Sequence, residues 1–310
     1  MKLLYTLLAL LLTFVASAQQ NPQYSQYIFN SMAINPAYTG SKQVLNFNAF
    51  HRSQWASVEG APTTSSLLVD GLVAKNRLGV GLDISRDKIG ALTNLSAYAN
   101  VAARVPLSEG ATLSLGVAPG FIQRSMNGNE LGIMDDPSIP TGNQTALQPD
   151  VKLGMYFNTS RFYAGVSASN LLQFSDNMAL TTHRHYFFTS GYVFDLSSSL
   201  KFKPSVLVKE DFNAPANVDL NAFLLIKEIL WLGSSYRTSM NLFNDNPATD
   251  ARNRTAVALI GELHVNRSFR LGYAYDVMLN DFRGVSTHEI SVGYYLFGKK
   301  DAPMLTPQYF

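Results

Sequence analysis

Residues 95–105 read Leu-Ser-Ala-Tyr-Ala-Asn-Val-Ala-Ala-Arg-Val. Leu95, Ala97, Ala99, Val101, Ala103 and Val105 make one apolar series, and Ser96, Tyr98, Asn100, Ala102 and Arg104 fall between them. Successive side chains of a strand point to opposite faces, so this alternation predicts a strand with one apolar and one mixed face. The same period recurs at Leu78, Val80, Leu82 and Ile84 against Gly79, Gly81, Asp83 and Ser85. It recurs again at Phe269, Leu271, Tyr273 and Tyr275 against Arg270, Gly272, Ala274 and Asp276. Near the end of the chain, Ile290, Val292, Tyr294 and Leu296 alternate with Glu289, Ser291, Gly293 and Tyr295.

Counted along the chain, such runs give about fourteen strands of roughly nine to thirteen residues, near the length of a tilted strand that crosses a bilayer. Tight polar turns are expected at Lys75–Arg77, Leu107–Gly110, Asn158–Ser160, Ser197–Ser199, Lys227–Glu228 and Asn266–Ser268. Between them fall mostly longer joints at Ser53–Pro62, Asp87–Ala91, Arg124–Ala146, Asn170–Thr182, Asp211–Ala216, Met240–Arg252 and Leu279–Ser286. Short and long connections in strict alternation are the arithmetic of an even, meandering, closed barrel, with tight turns and both chain ends on the periplasmic side. A soluble meander has no reason to sort its connections this way. The fold class expected is therefore all-β: a transmembrane antiparallel up-and-down β-barrel of about 14 strands, with an irregular N-terminal periplasmic or plug segment.

The first residues agree with export. Lys2 precedes an apolar run from Leu3 to Leu12 that closes on Ala16-Ser17-Ala18, the small-x-small form of a signal-peptidase site. The alternative, a membrane anchor, needs about 20 apolar residues, more than this run supplies. The most apolar later stretch, Ala222–Leu232, is interrupted by Lys227 and Glu228, so any crossing is made by strands. The organisation expected is a signal peptide at 1–18, an irregular segment at 19–42, an outer-membrane barrel at 43–298 and a periplasmic tail at 299–310.

With 310 residues, 24 Lys+Arg against 22 Asp+Glu and a net charge of +2, the chain has no blocked basic charge and nucleic acid is excluded as an expected partner. Its mean hydropathy of +0.01 and 12% aromatic content rule out a disordered tail. Cys is absent, which removes disulfides, thiolate metal sites and thiol nucleophiles. Five histidines, no G-x-S-x-G elbow and no H-E-x-x-H helix leave no motif for catalysis, and His288-Glu289 lacks a second His. His183 and His185 stand two apart at a strand entrance with no evident third ligand, so they read as polar rim or lumen residues rather than a metal site. No P-loop or dinucleotide fingerprint occurs. The expectation is a non-enzyme with no cofactor, no metal and no catalytic residues.

Two polar sets need a place. Lys201, Lys203, Ser205 and Lys209 share one side of a strand, and Arg104, Arg237, Arg270, Asp276 and Glu289 recur at inward positions, which predicts a lumen of mixed sign whose charges pair internally. The segment QQNPQYSQYIFNSMAINPAYTGSK at 19–42 has no sustained period, yet it is too aromatic for a flexible tether. It is expected to be ordered, either as a lead-in under the barrel rim or as a plug in the lumen or a docking surface.

The chain also carries a resemblance. Asn21-Pro22-Gln23-Tyr24-Ser25-Gln26-Tyr27, Ile34-Asn35-Pro36-Ala37-Tyr38-Thr39-Gly40-Ser41, His51-Arg52-Ser53-Gln54-Trp55 and Gly60-Ala61-Pro62-Thr63-Thr64 resemble the opening signature of the PorP/SprF family of Bacteroidetes membrane proteins. Gln148-Pro149-Asp150, His185-Tyr186-Phe187, Lys203-Pro204-Ser205, Asp219-Leu220-Asn221-Ala222, Ser235-Tyr236-Arg237, Gly272-Tyr273-Ala274-Tyr275-Asp276 and His288-Glu289-Ile290 extend it over the mature chain. The resemblance implies an outer-membrane component of the type IX secretion system that supports secretion or surface attachment of cargo, gliding adhesins among them. It implies as partners a secreted cargo protein, engaged through its C-terminal region, and periplasmic or outer-membrane components of the machine, with outer-membrane lipid around the barrel. Composition alone leaves a passive porin or solute transporter as the alternative. The partner-binding residues expected are Tyr24, Gln26, Tyr27, Asn35, Tyr38, Arg52, Gln54 and Trp55.

Overall fold

The computed structural model describes residues 24–74, 77–131, 142–172, 183–242, 255–279 and 285–296. The signal at 1–18, Asn21-Pro22-Gln23, the tail at 299–310 and most of Met240–Arg252 lie outside the described residues. The strands are β1 Leu45–Ser53, β2 Thr63–Val73, β3 Leu78–Ile89, β4 Leu92–Ser108, β5 Ala111–Asn127, β6 Asn143–Asn158, β7 Phe162–Ser169 and β8 His185–Tyr192. They continue as β9 Phe194–Ser197, β10 Leu200–Glu210, β11 Ala216–Ile226, β12 Leu230–Met240, β13 Ala256–His264, β14 Phe269–Met278 and β15 Ser286–Leu296.

Apart from β8 and β9, each strand pairs antiparallel with its neighbours in sequence, and β15 returns to pair with β1, Leu45 opposite Leu296 and Ser53 opposite His288. The sheet is closed, and closure removes the unpaired edges that no hydrocarbon environment tolerates. β8 and β9 pair with successive parts of β10 on either side of Val193, so they form one interrupted stave and the barrel has 14 staves with β9 as the extra strand.

The outward and inward faces follow the period-two reading. Val101 and Val105 are exposed on the outer wall, whereas Tyr98, Asn100, Ala102 and Arg104 are buried inside. Leu271, Tyr273, Ile290 and Val292 likewise face out, and Arg270, Asp276, Glu289 and Tyr295 face in. In a membrane barrel this inversion is the stable one, since lipid takes the apolar face and the lumen takes the polar one.

Short turns gather at one end of the barrel and longer connections at the other, hereafter the turn end and the loop end. Two expectations need correction. Asp87–Ala91 is not a longer joint: Asp87, Lys88 and Ile89 belong to β3, and only Gly90-Ala91 turns the chain, with Gly90 at φ +52°. Arg124–Asn127 and Asn143–Ala146 are likewise strand rather than loop, so β4, β5 and β6 run to 17, 17 and 16 residues. These strands rise past the apolar band, and there both faces turn polar and the alternation that marks a strand disappears.

The hydrophobic core lies inside the barrel and is built around residues 24–42. Tyr27, Ile28 and Phe29 are buried with Phe223, Leu225, Trp231, Ile260 and Ala274 of the wall. Met32, Ala37 and Tyr38 are buried with Phe50, Leu68, Tyr156 and Tyr163. Phe29 meets Phe223 edge to face at 5.7 Å between centroids, and Tyr38 meets Tyr156 in the same way at 5.3 Å, a favoured aromatic geometry.

Candidate functional site

The segment at 24–42 is a plug threaded along the lumen. It folds as three single 3-10 turns, Gln26–Phe29, Ser31–Ala33 and Pro36–Tyr38. Short polar residues set the turns: the Asn30 side chain accepts from the Met32 N–H at 3.2 Å, and Asn35 accepts from the Ala37 N–H at 2.9 Å with Pro36 placed at the first turn position. Asn35 also donates through Nδ2 to the carbonyls of Met155 at 3.0 Å and Val166 at 3.3 Å, so one side chain both shapes the segment and ties it to β6 and β7.

The loop end of the plug is held by charge. Glu289 accepts the N–H groups of Ser25 at 2.8 Å and Gln26 at 2.9 Å, one on each carboxylate oxygen. Arg52 bridges Glu289 at 3.0 Å and Asp276 at 2.7 Å, and it donates to Ser25 Oγ at 2.9 Å. Ser25 Oγ in turn donates to Asp276. The network continues through Arg237, 3.7 Å from Asp276, to Asp219, which also receives Lys209 at 3.3 Å. Arg52, Asp276 and Glu289 are each at most 1% exposed, so these ions are viable only as a hydrogen-bonded set.

The turn end is held by close backbone approach. Gly40 donates its N–H to Asp70 at 2.8 Å and accepts from Arg104 at its carbonyl at 2.6 Å. Lys42 donates to the Phe29 carbonyl at 2.6 Å and to the Tyr295 hydroxyl at 3.1 Å, pinning the middle of the plug to the residues that lead into β1. Inward glycines make the room: a Cβ at Gly79 would fall on the Thr39 carbonyl, one at Gly116 on the Ala37 nitrogen, and one at Gly154 on the Asn35 side chain. Glycine inside a strand marks such an approach, and Gly79, Gly116 and Gly154 carried that signal in the sequence without revealing what approached them.

Burial pushes the plug tyrosines Tyr24, Tyr27 and Tyr38 above the ordinary phenol range, so they stay neutral, and it pulls the Lys42 ammonium down, with neighbouring Arg270 acting in the same direction. Inward charges elsewhere follow the same pattern of internal satisfaction. Arg270 reaches Glu262 at 3.3 Å and lies over the Tyr295 ring, and Lys152 meets Asp83 at 2.9 Å.

Five of the expected partner-binding residues, Gln26, Tyr27, Asn35, Tyr38 and Arg52, are enclosed by the barrel wall. Tyr24 is half-buried with its hydroxyl 2.6 Å from Ser66 Oγ. Gln54 and Trp55 sit together at the loop end, where Trp55 has φ +47° and its backbone N–H donates to Thr287 Oγ1 at 3.3 Å. The eight residues therefore do not form one surface: six belong to the plug and its latch, and two to the rim. His183 and His185 do not converge on a common point, since His185 Nδ1 faces the His183 carbonyl at 3.0 Å and His183 Nδ1 lies 3.2 Å from Asn213. No cluster of three metal-ligating side chains occurs among the described residues.

A closed 14-stave barrel with an apolar outer wall, charges turned inward and its own chain through the lumen is an integral protein of the outer membrane. The chain belongs to the type IX secretion system membrane protein PorP/SprF family, whose model matches residues 16–294. No curated protein matches it. Among solved structures, the CymD monoaromatic hydrocarbon channel aligns over 88% of this chain and 94% of its own, with TM-score 0.53 and 10% identity. The Acinetobacter baumannii outer membrane protein Omp33 aligns over 83% and 100%, with TM-score 0.50 and 8% identity. At such identities the likeness is one of fold.

Proposed function

We propose that this barrel is a non-enzymatic binding component of the type IX secretion system that supports secretion or cell-surface attachment of a specific cargo protein, such as a gliding adhesin, engaged through the cargo's C-terminal region. The observation that carries this reading is the plug: the lumen is threaded by the chain's own N-terminal segment, tied to the wall at the loop end, the middle and the turn end. A core of Tyr27, Phe29, Met32 and Tyr38 fills the passage that an open water-filled pore would leave clear. In this reading Gln54 and Trp55 contact the partner directly, while Tyr24, Gln26, Tyr27, Asn35, Tyr38 and Arg52 hold the plug in the form that the partner meets.

The test is removal of residues 21–40 behind a new signal-cleavage junction. The expected result is a folded, heat-modifiable barrel in the outer membrane that no longer supports its cargo, with co-purification of a secreted protein lost. Wild-type cargo display by the deletion, or large steady single-channel openings of the intact protein, would overturn the proposal in favour of a porin.

A further inference from the structure

Of the lysines and arginines on the described strands, Arg86 and Lys88 of β3 point outward, while the others, from Arg52 through Arg270, point into the lumen. Their height is set by the neighbouring strands. The outward face of β3 runs Leu78, Val80, Leu82 and Ile84 before it reaches Arg86 and Lys88. On β4 it changes from Leu95 to Thr93, on β5 from Phe121 to Gln123 and Ser125, and on β6 from Leu147 to Thr145. Cross-strand pairing puts these changes at one level: Arg86 lies opposite Leu95, Lys88 opposite Thr93, Thr93 opposite Ser125, and Ser125 opposite Thr145.

One outward step along a strand is about 7 Å, and the headgroup layer on each side of a bilayer is about 5–7 Å deep. With the short turns on the periplasmic side, as is general for outer-membrane barrels, the first polar row above the apolar wall stands at the height of the lipid headgroups of the outer leaflet. There the wall holds a recess of about 330 Å³, lined by Arg86, Lys88, Thr93, Ser125, Asn127 and Glu130. Lys88 pairs with Glu130 at 3.3 Å, both about two-fifths exposed, and Arg86 makes no ion pair among the described residues. Below the recess the wall is apolar and open, with Phe121 at 40% and Leu147 at 65% exposure.

We propose that this recess binds the phosphate-bearing headgroup of an outer-leaflet glycolipid, with the phosphate between Arg86 and Lys88 and the acyl chains along Phe121 and Leu147. Two cations beside hydroxyl and amide donors match a phosphate, and an apolar wall directly beneath them matches the chains attached to it. A soluble anion would use the cations alone. Elsewhere at the loop end the outward faces finish in residues such as Met240, Val277, Tyr186 and His51, which offer headgroups no fixed positive charge.

Native mass spectrometry of the intact purified barrel, offered a synthetic diphosphorylated glycolipid and its dephosphorylated counterpart, tests the site. The wild type should retain the phosphorylated form about tenfold more, and the Arg86→Gln/Lys88→Gln variant should bring the two forms within about twofold, given the size of such headgroup contacts. Glu130→Gln, which frees Lys88 from its partner, should raise retention of the phosphorylated form. Heat-modifiability shows that each variant is folded. Equal retention of both lipids by the wild type, or an undiminished preference in the double variant, would overturn the proposal. Displacement of the lipid by inorganic phosphate alone would also overturn it, because the site would then be one for a free anion.

Discussion

The two ends of the plug are fastened by different physics. At the loop end Ser25 and Gln26 are caught by ions, Glu289, Asp276 and Arg52, which hold N–H and hydroxyl groups at bonding distance. At the turn end Asp70 and Arg104 each reach the Gly40 backbone, and Thr39, Gly40 and Ala37 in addition lie against the wall itself, in spaces that exist because Gly79 and Gly116 carry no side chain. The difference follows from chain connectivity. Gly40 stands a few residues before β1 begins at Leu45, so the backbone already keeps it near the wall, and close fit supplements the Asp70 and Arg104 bonds there. Ser25 is a further three turns away, and ordering it costs chain entropy that has to be offset by stronger contacts. An ionic latch can be opened by a competing charge or donor without reshaping the barrel; a fit between backbones cannot.

Arg52→Met should have the largest effect. It strips the shared cation from Asp276 and Glu289, both buried, and removal of one partner from such a set costs about 3–5 kcal/mol. The expected outcome is a lower midpoint of heat-modifiability together with protease cleavage between Tyr24 and Phe29, while the turn end stays protected. Continued protection of that stretch in a folded variant would show that the aromatic packing of Tyr27 and Phe29, not the ions, holds the loop end.

Gly116→Val comes next and probes the other end. The new Cβ meets the Ala37 nitrogen, which cannot move without dragging the whole turn, and overpacking of this kind costs about 1–3 kcal/mol. Cysteine-labelling rates measured at Ala37 and at Ser25 should rise at the first and stay unchanged at the second. If both rise together, the plug behaves as one rigid body and the contrast between its ends has no mechanical meaning.

The barrel wall was legible because lipid imposes one rule on every strand: alternate side chains must be apolar. Leu95–Val105, Leu78–Ser85, Phe269–Asp276 and Glu289–Leu296 obey it, and the 14-stave count followed. The rule lapses where a strand leaves the bilayer, which is why Asp87–Ile89, Arg124–Asn127 and Asn143–Ala146 read as loop. The plug was not legible in the same way. A segment enclosed on all sides has no solvent face, so Tyr27, Met32, Asn35 and Tyr38 are all buried and no period can form. Aromatic content announced order, but its location was written in the glycines of distant strands. The ionic latch is half visible in the sequence: Arg52 stands in a motif and Asp276 and Glu289 at inward positions, and only the closure of β15 on β1 brings them together.

Asn35→Ala tests the middle of the plug, where neither device dominates. It removes the cap on the Ala37 N–H and two donors to wall carbonyls, for a loss of about 2 kcal/mol. Asn35→Asp separates the two roles, since a carboxylate still caps the turn but cannot donate to Met155 or Val166. The expected order of thermal midpoints is wild type, then Ala, then Asp, because a buried carboxylate facing two carbonyl oxygens has nothing to offset its charge. A fully stable Asp variant would leave the cap as the only function of this side chain.

The smallest effect is expected from Ser25→Ala. The substitution deletes a hydroxyl that donates to Asp276 and accepts from Arg52 at 2.9 Å, yet it leaves the Ser25 and Gln26 N–H groups on Glu289 and the Arg52 bridge at 2.7 and 3.0 Å untouched. A hydrogen bond to an ion that retains its main partner is worth about 1.5 kcal/mol, so the midpoint should fall far less than for Arg52→Met. The double variant Ser25→Ala/Arg52→Met should fall below Arg52→Met by less than Ser25→Ala falls below the wild type, because once the cation is gone the hydroxyl keeps only its bond to Asp276 and the two changes act on one network. Full additivity in that double-mutant cycle would mean that Ser25 contributes through packing against Tyr24 and Gln26 rather than through the ions. The loop end would then depend on close packing, as the turn end does at Gly79 and Gly116, and a competing charge would have little to open.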